Sequence, residues 1–99
     1  MTIRTIEQTA LKIEKESIKD LSFSRKEVLL DIDSQLMRNH DLHRAQILGN
    51  LSQGKVSIWF ETANQKLYRV DTTIWAVGSQ FITLKGGTAI PINSIVKID

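Results

Sequence analysis

The chain has no cysteine. That excludes a disulfide framework, a thiolate nucleophile and a cysteine-based zinc site, and it suits a reducing compartment. Proline is almost as scarce. Pro91 is the one proline, and because it lacks an N–H, the stretch 89-AIPINSIVKI-98 is expected to bend or lie at a sheet edge there. Long apolar runs are missing as well. None approaches the roughly 18 residues that a membrane span requires, and the opening MTIRTIEQTALKIEKES has no unbroken apolar core of the signal-peptide kind. The expectation is a soluble, cytoplasmic protein with no membrane partner. An excess of either charge is lacking too. Thirteen cations face 11 anions, for a net +2. Residues 1–54 hold eight of each sign. Proteins that grip nucleic acid by its phosphates cluster Lys and Arg on one face, whereas here the cations are scattered.

What is present is an ordinary globular composition, 41% hydrophobic and 24% charged, which argues against disorder. Its length of 99 residues makes one domain with a modest core. The two halves follow different periods. In 5-TIEQTALKIEKESIKDL-21, Ile6, Ala10, Ile13, Ser17 and Leu21 recur at three- and four-residue steps, which predicts a helix over about 5–20. Ser24 with Glu27 has the capping-box spacing, and Phe23 with Val28 that of a hydrophobic staple. Val28, Leu29, Ile32 and Leu36 then form an apolar stripe, and Asn39 suits a left-handed C-cap. A second helix is therefore predicted over about 24–39. The segment 41-DLHRAQILGNLSQG-54 fits a short helix stopped by Gly49 and Asn50. It also fits an alternating strand through Ala45, Ile47, Gly49 and Leu51. The helix is preferred.

From Lys55 the period becomes two. Val56, Ile58 and Phe60 alternate with Ser57, Trp59 and Glu61. After the turn 63-ANQK-66 the alternation resumes through a long strand, 67–77, long enough to bend and serve two sides of a sheet. The turn 78-GSQ-80 leads into 81-FITLK-85, Gly86 and Gly87 make a further turn, and 89–98 closes the series. Four or five short strands in so small a space are most economically closed into a strongly bent antiparallel barrel. The fold class expected is α+β, with residues 1–50 mainly helical and packed on a barrel over 55–99. The pattern is similar to SH3-like and Sm-like small barrels. The runs 47-ILGNL-51, 55-KVSIWFET-62, 70-VDTTIWAV-77, 84-LKGG-87 and 90-IPINSI-95 also resemble short uncharacterised proteins of Bacteroidetes. This resemblance covers about the last half of the chain. It implies a compact cytoplasmic domain and carries over no site residue.

On this alternation Val56, Ile58, Phe60, Val70, Ile74, Ile82 and Leu84 form the inner face. Trp59 and Trp75 fall on the opposite face, near Arg69, Thr73, Thr83 and Lys85 in pattern. An aromatic pair edged by cations is what a stacking or peptide-binding surface uses, so Trp59, Trp75, Arg69 and Lys85 are the candidate ligand-binding residues. Against that, burying a tryptophan removes roughly 150–250 Å² from water, and the amphipathic helices need a surface to pack on. At least one tryptophan is expected under a helix or a partner subunit.

Catalytic chemistry finds no foothold. His40, Asp41 and His43 are the one cluster of potential ligands, and no third histidine completes a catalytic zinc set. Asp31 and Asp33 point apart on a helix and make no acid–base pair. The run 84-LKGGT-88 sits between strands and lacks phosphate-loop spacing. No catalytic residue, metal or cofactor is assigned. The leading expectation is a non-catalytic interaction module that acts through a protein partner or as a homo-oligomer. The alternative is nucleic-acid binding through the barrel surface.

Overall fold

A computed structural model describes residues 9–99 of the chain. In chain order these form β1 (Leu11–Lys12), a 3-10 helix (Lys15–Asp20), α1 (Ile32–Ser52), β2 (Val56–Glu61), β3 (Leu67–Thr72), β4 (Ile74–Val77), β5 (Phe81–Leu84), β6 (Ala89–Pro91), a 3-10 turn (Ile92–Ser94) and β7 (Ile95–Ile98). The class is α+β, with one long helix and two small sheets. The first sheet is mixed, in the order β1-β3-β2-β7, and the second is antiparallel, in the order β4-β5-β6.

The N-terminal half differs from its predicted form. The start of the predicted 5–20 helix lies outside the described residues. Its described part opens as a short strand parallel to β3, with Leu11 opposite Tyr68, and Ile13 N–H donates to the Arg69 carbonyl. The chain then turns into the 3-10 helix, which buries Ile18 in the core. Edge pairing to the sheet has won over helical propensity.

The predicted 24–39 helix begins later and ends later. Its N-cap is Asp31, whose carboxylate accepts the Ser34 N–H at 2.9 Å and the Ser34 hydroxyl at 2.9 Å. The capping-box pair is used otherwise. Ser24 N–H donates to the Glu61 carbonyl, while Glu27 pairs with Arg38. Residues 22–31 thus form a strap tied down by long-range hydrogen bonds, among them Val28 N–H to Asn93 O and Asn93 Nδ2 to Ser24 O. Asn39 does not cap. The helix continues through Asp41–Gly49, as the preferred reading of that segment had it, and joins both predicted pieces into one helix of 21 residues. Gln53, at φ 52°, is the left-handed C-cap.

The β half follows its predicted alternation closely. Val56, Ile58, Phe60, Val70, Ile74, Ile82 and Leu84 all lie in one buried core with Leu42, Ala45, Ile90, Ile95 and Ile98. The long 67–77 strand bends, as expected, and serves two sheets. The break falls at Thr73, which is 1% exposed. Its hydroxyl donates to the Gln53 carbonyl at 3.0 Å and its own carbonyl accepts Lys85 N–H. Thr73 is therefore a buried hinge, and not part of the outer face where alternation placed it. The expected closed barrel is also corrected. The strands stay in two sheets: Pro91 ends β6, and the 3-10 turn after it sends β7 back to pair with β2. Helix α1 packs against β4 and β7.

Candidate functional site

The four sequence-predicted binding residues do not form one surface. Trp59 and Arg69 are brought together. They are register partners on β2 and β3, and Lys97 on β7 is the partner of Trp59 on the other side. Lys12 on β1 extends the row beyond Arg69. The Arg69 guanidinium carbon and the Lys97 Nζ each lie 5.4 Å from the Trp59 ring centroid, within cation–π range. Trp59 is nonetheless only 3% exposed. Its indole N–H is buried and meets no acceptor among the described residues. The expectation placed at least one tryptophan under a helix or a partner subunit; Trp59 is buried, and the groups over its ring are the Arg69 and Lys97 side chains.

Arg69 is engaged on its other side. It donates to both carboxylate oxygens of Asp71, from Nε and Nη2, at 2.9 Å each. Ser57 donates to the same carboxylate at 2.7 Å, and Lys12 lies 3.3 Å from it. The Arg69 hydrogen bonds, helped by Ser57 and Lys12 and opposed by burial, hold the Asp71 carboxyl at about 2. The same pairing raises Arg69. On this face Arg69 and Lys12 share the Asp71 carboxylate, and Arg69 and Lys97 lie over the buried ring.

Trp75 and Lys85 lie elsewhere. Trp75 is on β4 in the second sheet, at a bulge, and is 46% exposed. Lys85 follows β5 and lines a cleft of about 210 Å³ with Lys15, Lys55, Asp71 and Thr72. Phe81 on β5, which sequence reasoning passed over, is also exposed.

A second ion pair, with its arginine buried, supports the helix. Arg38, 6% exposed, donates from Nη1 to Glu27 at 2.7 Å and to the Ile95 carbonyl at 3.0 Å, and its Nη2 donates to the other Glu27 oxygen. Burial raises the Glu27 carboxyl, but the Arg38 and Leu29 hydrogen bonds outweigh it and hold the group below its ordinary value. The strap, α1 and β7 are joined through this one guanidinium. The strap also borders a cleft of about 520 Å³ lined by Ser24, Glu27, Leu30, Glu61 and Gln65 among others.

The largest departure from the sequence reading is on α1. Its buried residues are Arg38, Leu42, Ala45 and Gly49. Ile32 and Leu36 of the predicted stripe do not pack inward, and neither do Ile47 and Leu51 further along the helix. Ile32, Leu36, Ile47 and Leu51 are exposed, at 66%, 60%, 59% and 83%. At 3.6 residues per turn these four, with His40 and His43, share an arc of about 100° on the side facing away from the sheets. The helix thus carries two apolar faces, and the protein covers one. The signal was in the sequence: it emerges once the helical period is carried through Asn39 to Leu51.

His40 and His43 are exposed on that outer face. His43 Nδ1 lies 2.8 Å from the Asn39 carbonyl, and His40 Nδ1 lies 3.7 Å from Asp41. Among the described residues no three His, Asp or Glu side chains are grouped to hold a metal ion, and no helix is long and apolar enough to cross a membrane. Comparison with family models, with curated proteins and with solved structures finds no match for the chain.

Proposed function

We propose that this chain is a non-catalytic interaction module that works through protein contacts made by the outer face of α1. The observation that carries this reading is the exposed stripe Ile32, Leu36, Ile47 and Leu51 on a helix already anchored by its opposite face. Scattered surface leucines are unremarkable, but an aligned apolar stripe on one rigid element marks an interaction site. A helix face of this kind is read by a partner through i, i+4 anchors. The strand order supports the small-barrel reading in an opened form. β2 pairs with both β3 and β7, the β3–β4 strand bends at Thr73, and a 3-10 turn precedes β7.

The test compares the chain with its Leu36→Glu/Ile47→Glu variant, by mass in solution at high concentration and by cross-linking in cell extract. The reading expects an associated species or a captured protein with the parent chain and neither with the variant. A monomer that captures nothing, or a variant that behaves like the parent, would count against it.

Nucleic-acid binding is the second reading, favoured by the two exposed aromatics Trp75 and Phe81 on the three-stranded sheet. It expects oligonucleotide to quench Trp75 emission and salt to restore it. Quenching that survives in Trp75→Phe would remove this sheet as the platform.

A further inference from the structure

The outer stripe of α1 is nearly a palindrome. Its positions pair about a point midway between Asp41 and Leu42: Ile32 with Leu51, Leu36 with Ile47, and His40 with His43. Each pair of residue numbers sums to the same value. An isologous antiparallel contact sets residue i against residue j and j against i, and here that pairing puts apolar on apolar and imidazole on imidazole. A parallel helix pair would instead place Leu36 against Leu36 and Ile47 against Ile47.

On this basis, and resting on the reading of this face as a docking surface, we infer that its occupant is a second copy of the chain, laid antiparallel with the two-fold axis between Asp41 and Leu42. Three observations support the assignment. The six stripe residues and Asn50, which shares their arc, are all exposed. Asp33 is the one Asp, Glu, Lys or Arg on that arc, so two copies meet without a row of like charges. The length is adequate too. A helix of 21 residues is about 30 Å long at 1.5 Å per residue. Two such helices packed along their length approach the roughly 1,000 Å² of total buried surface that a specific interface needs. Arg44 flanks the stripe, bonded to Asp41 in its own chain at 3.4 Å. His40 and His43 meet the partner's His43 and His40 nearest the axis, where one imidazole N–H can donate to a neutral imidazole nitrogen.

The chain has no cysteine of its own, so the register can be read directly. Single variants Leu36→Cys and Ile47→Cys are prepared, checked for native folding by circular dichroism, and oxidised alone and as an equimolar mixture. In the antiparallel register position 36 of one copy lies against 47 of the other, at helix spacing of about 8–10 Å between axes, within disulfide reach. Like positions are about 16 Å apart along the axis. The expected result is a 36–47 cross-linked heterodimer in the mixture, at least tenfold in excess over either like-with-like product. Cross-linking of Leu36→Cys with itself at equal or greater yield would overturn the antiparallel register. A chain that sediments as a monomer at every concentration, and forms no excess of the mixed product, would overturn the dimer. If that monomer still takes another protein on this face, the interaction reading survives and only the self-pairing falls; if it takes none, both fall. His40→Leu/His43→Leu gives a second reading free of introduced thiols. It is expected to tighten the dimer at least fivefold, and unchanged mass behaviour would place the axis elsewhere.

Discussion

Gly49 of α1 lies against the Ile74 carbonyl of β4 so closely that a Cβ there would come within 2.3 Å of the oxygen and 3.0 Å of Thr73 Cγ2. The obstacle is backbone at the hinge between the two sheets, which cannot swing aside. The sequence pattern places a helix stop at this glycine, but the helix runs on to Ser52. The role of Gly49 is to let the last turns of the helix approach the second sheet.

Gly49→Ala is therefore expected to destabilise the fold by about 1–3 kcal/mol, although alanine favours a helix interior by about 1 kcal/mol over glycine. Denaturant unfolding checks this. A stabilised variant would show that α1 and β4 are not in contact at this point.

The Glu27–Arg38 pair is expected to respond unequally to its two truncations. Glu27→Ala leaves Arg38, whose side chain is 5% exposed, as an uncompensated buried charge and is expected to cost about 3–5 kcal/mol. Arg38→Met leaves Glu27, a third exposed, able to turn to water, and keeps much of the buried volume. A loss of about 1–2 kcal/mol is expected there. Equal losses in a denaturant series would mean that the pair is solvated.

Acid is expected to loosen the fold in a definite window. Asp71 is held at about 2 against an ordinary 3.8, by Arg69 first, and Glu27 is lowered from 4.5. Ser34 lowers Asp31 from 3.8. A depressed folded-state value means that these groups stabilise the protein above their ordinary range, and that the contribution is lost as pH falls. Stability should therefore be level down to about pH 5 and decline from there toward pH 2. Asp71→Asn is expected to flatten part of that decline. Unfolding midpoints between pH 7 and pH 2.5 measure it, and a parent profile without slope would show the ion pairs to be screened out.

The tryptophans should separate cleanly. Trp59→Ala removes a buried ring and is expected to cost about 3–5 kcal/mol, whereas Trp75→Ala, at a half-exposed bulge, should stay within about 1 kcal/mol. Thermal melts of both decide this. Native emission should carry one blue-shifted and one solvent-exposed component, and Trp75→Phe should keep the blue one.

On α1 the two faces should likewise differ. Leu42→Ala, in the core, is expected to lose about 2–5 kcal/mol. Leu36→Lys should leave monomer stability within about 0.5 kcal/mol while preventing association. If Leu36→Lys unfolds the chain at low concentration, the outer stripe is packed internally.

Much of this was legible before the fold was known. Alternation through Val56, Ile58 and Phe60 and through Ile82 and Leu84 marks the core face of the sheets, because a strand presents every second side chain to one side, and it breaks at Thr73, where the chain passes from one sheet to the other. The bend in the 67–77 strand was readable from its length. The α+β class follows from the change of period at Lys55. Other features depended on partners far away in sequence. The capping box at Ser24 was a sound local pattern, but Glu27 found Arg38 eleven residues on, and Ser24 found Glu61. The edge of β3 took Leu11 and Lys12 as a strand, although their local period suited a helix. Periodicity also shows that a helix has apolar residues without showing which arc the protein covers. Two arcs competed on α1, and the close approach permitted by Gly49, with Arg38 bound to the Ile95 carbonyl, turned Leu42 inward and left Leu36 and Ile47 in solvent. Composition and spacing determined the elements and the sheet core, while long-range hydrogen bonds and backbone contact decided which faces were buried, and so which surface was left to meet a partner.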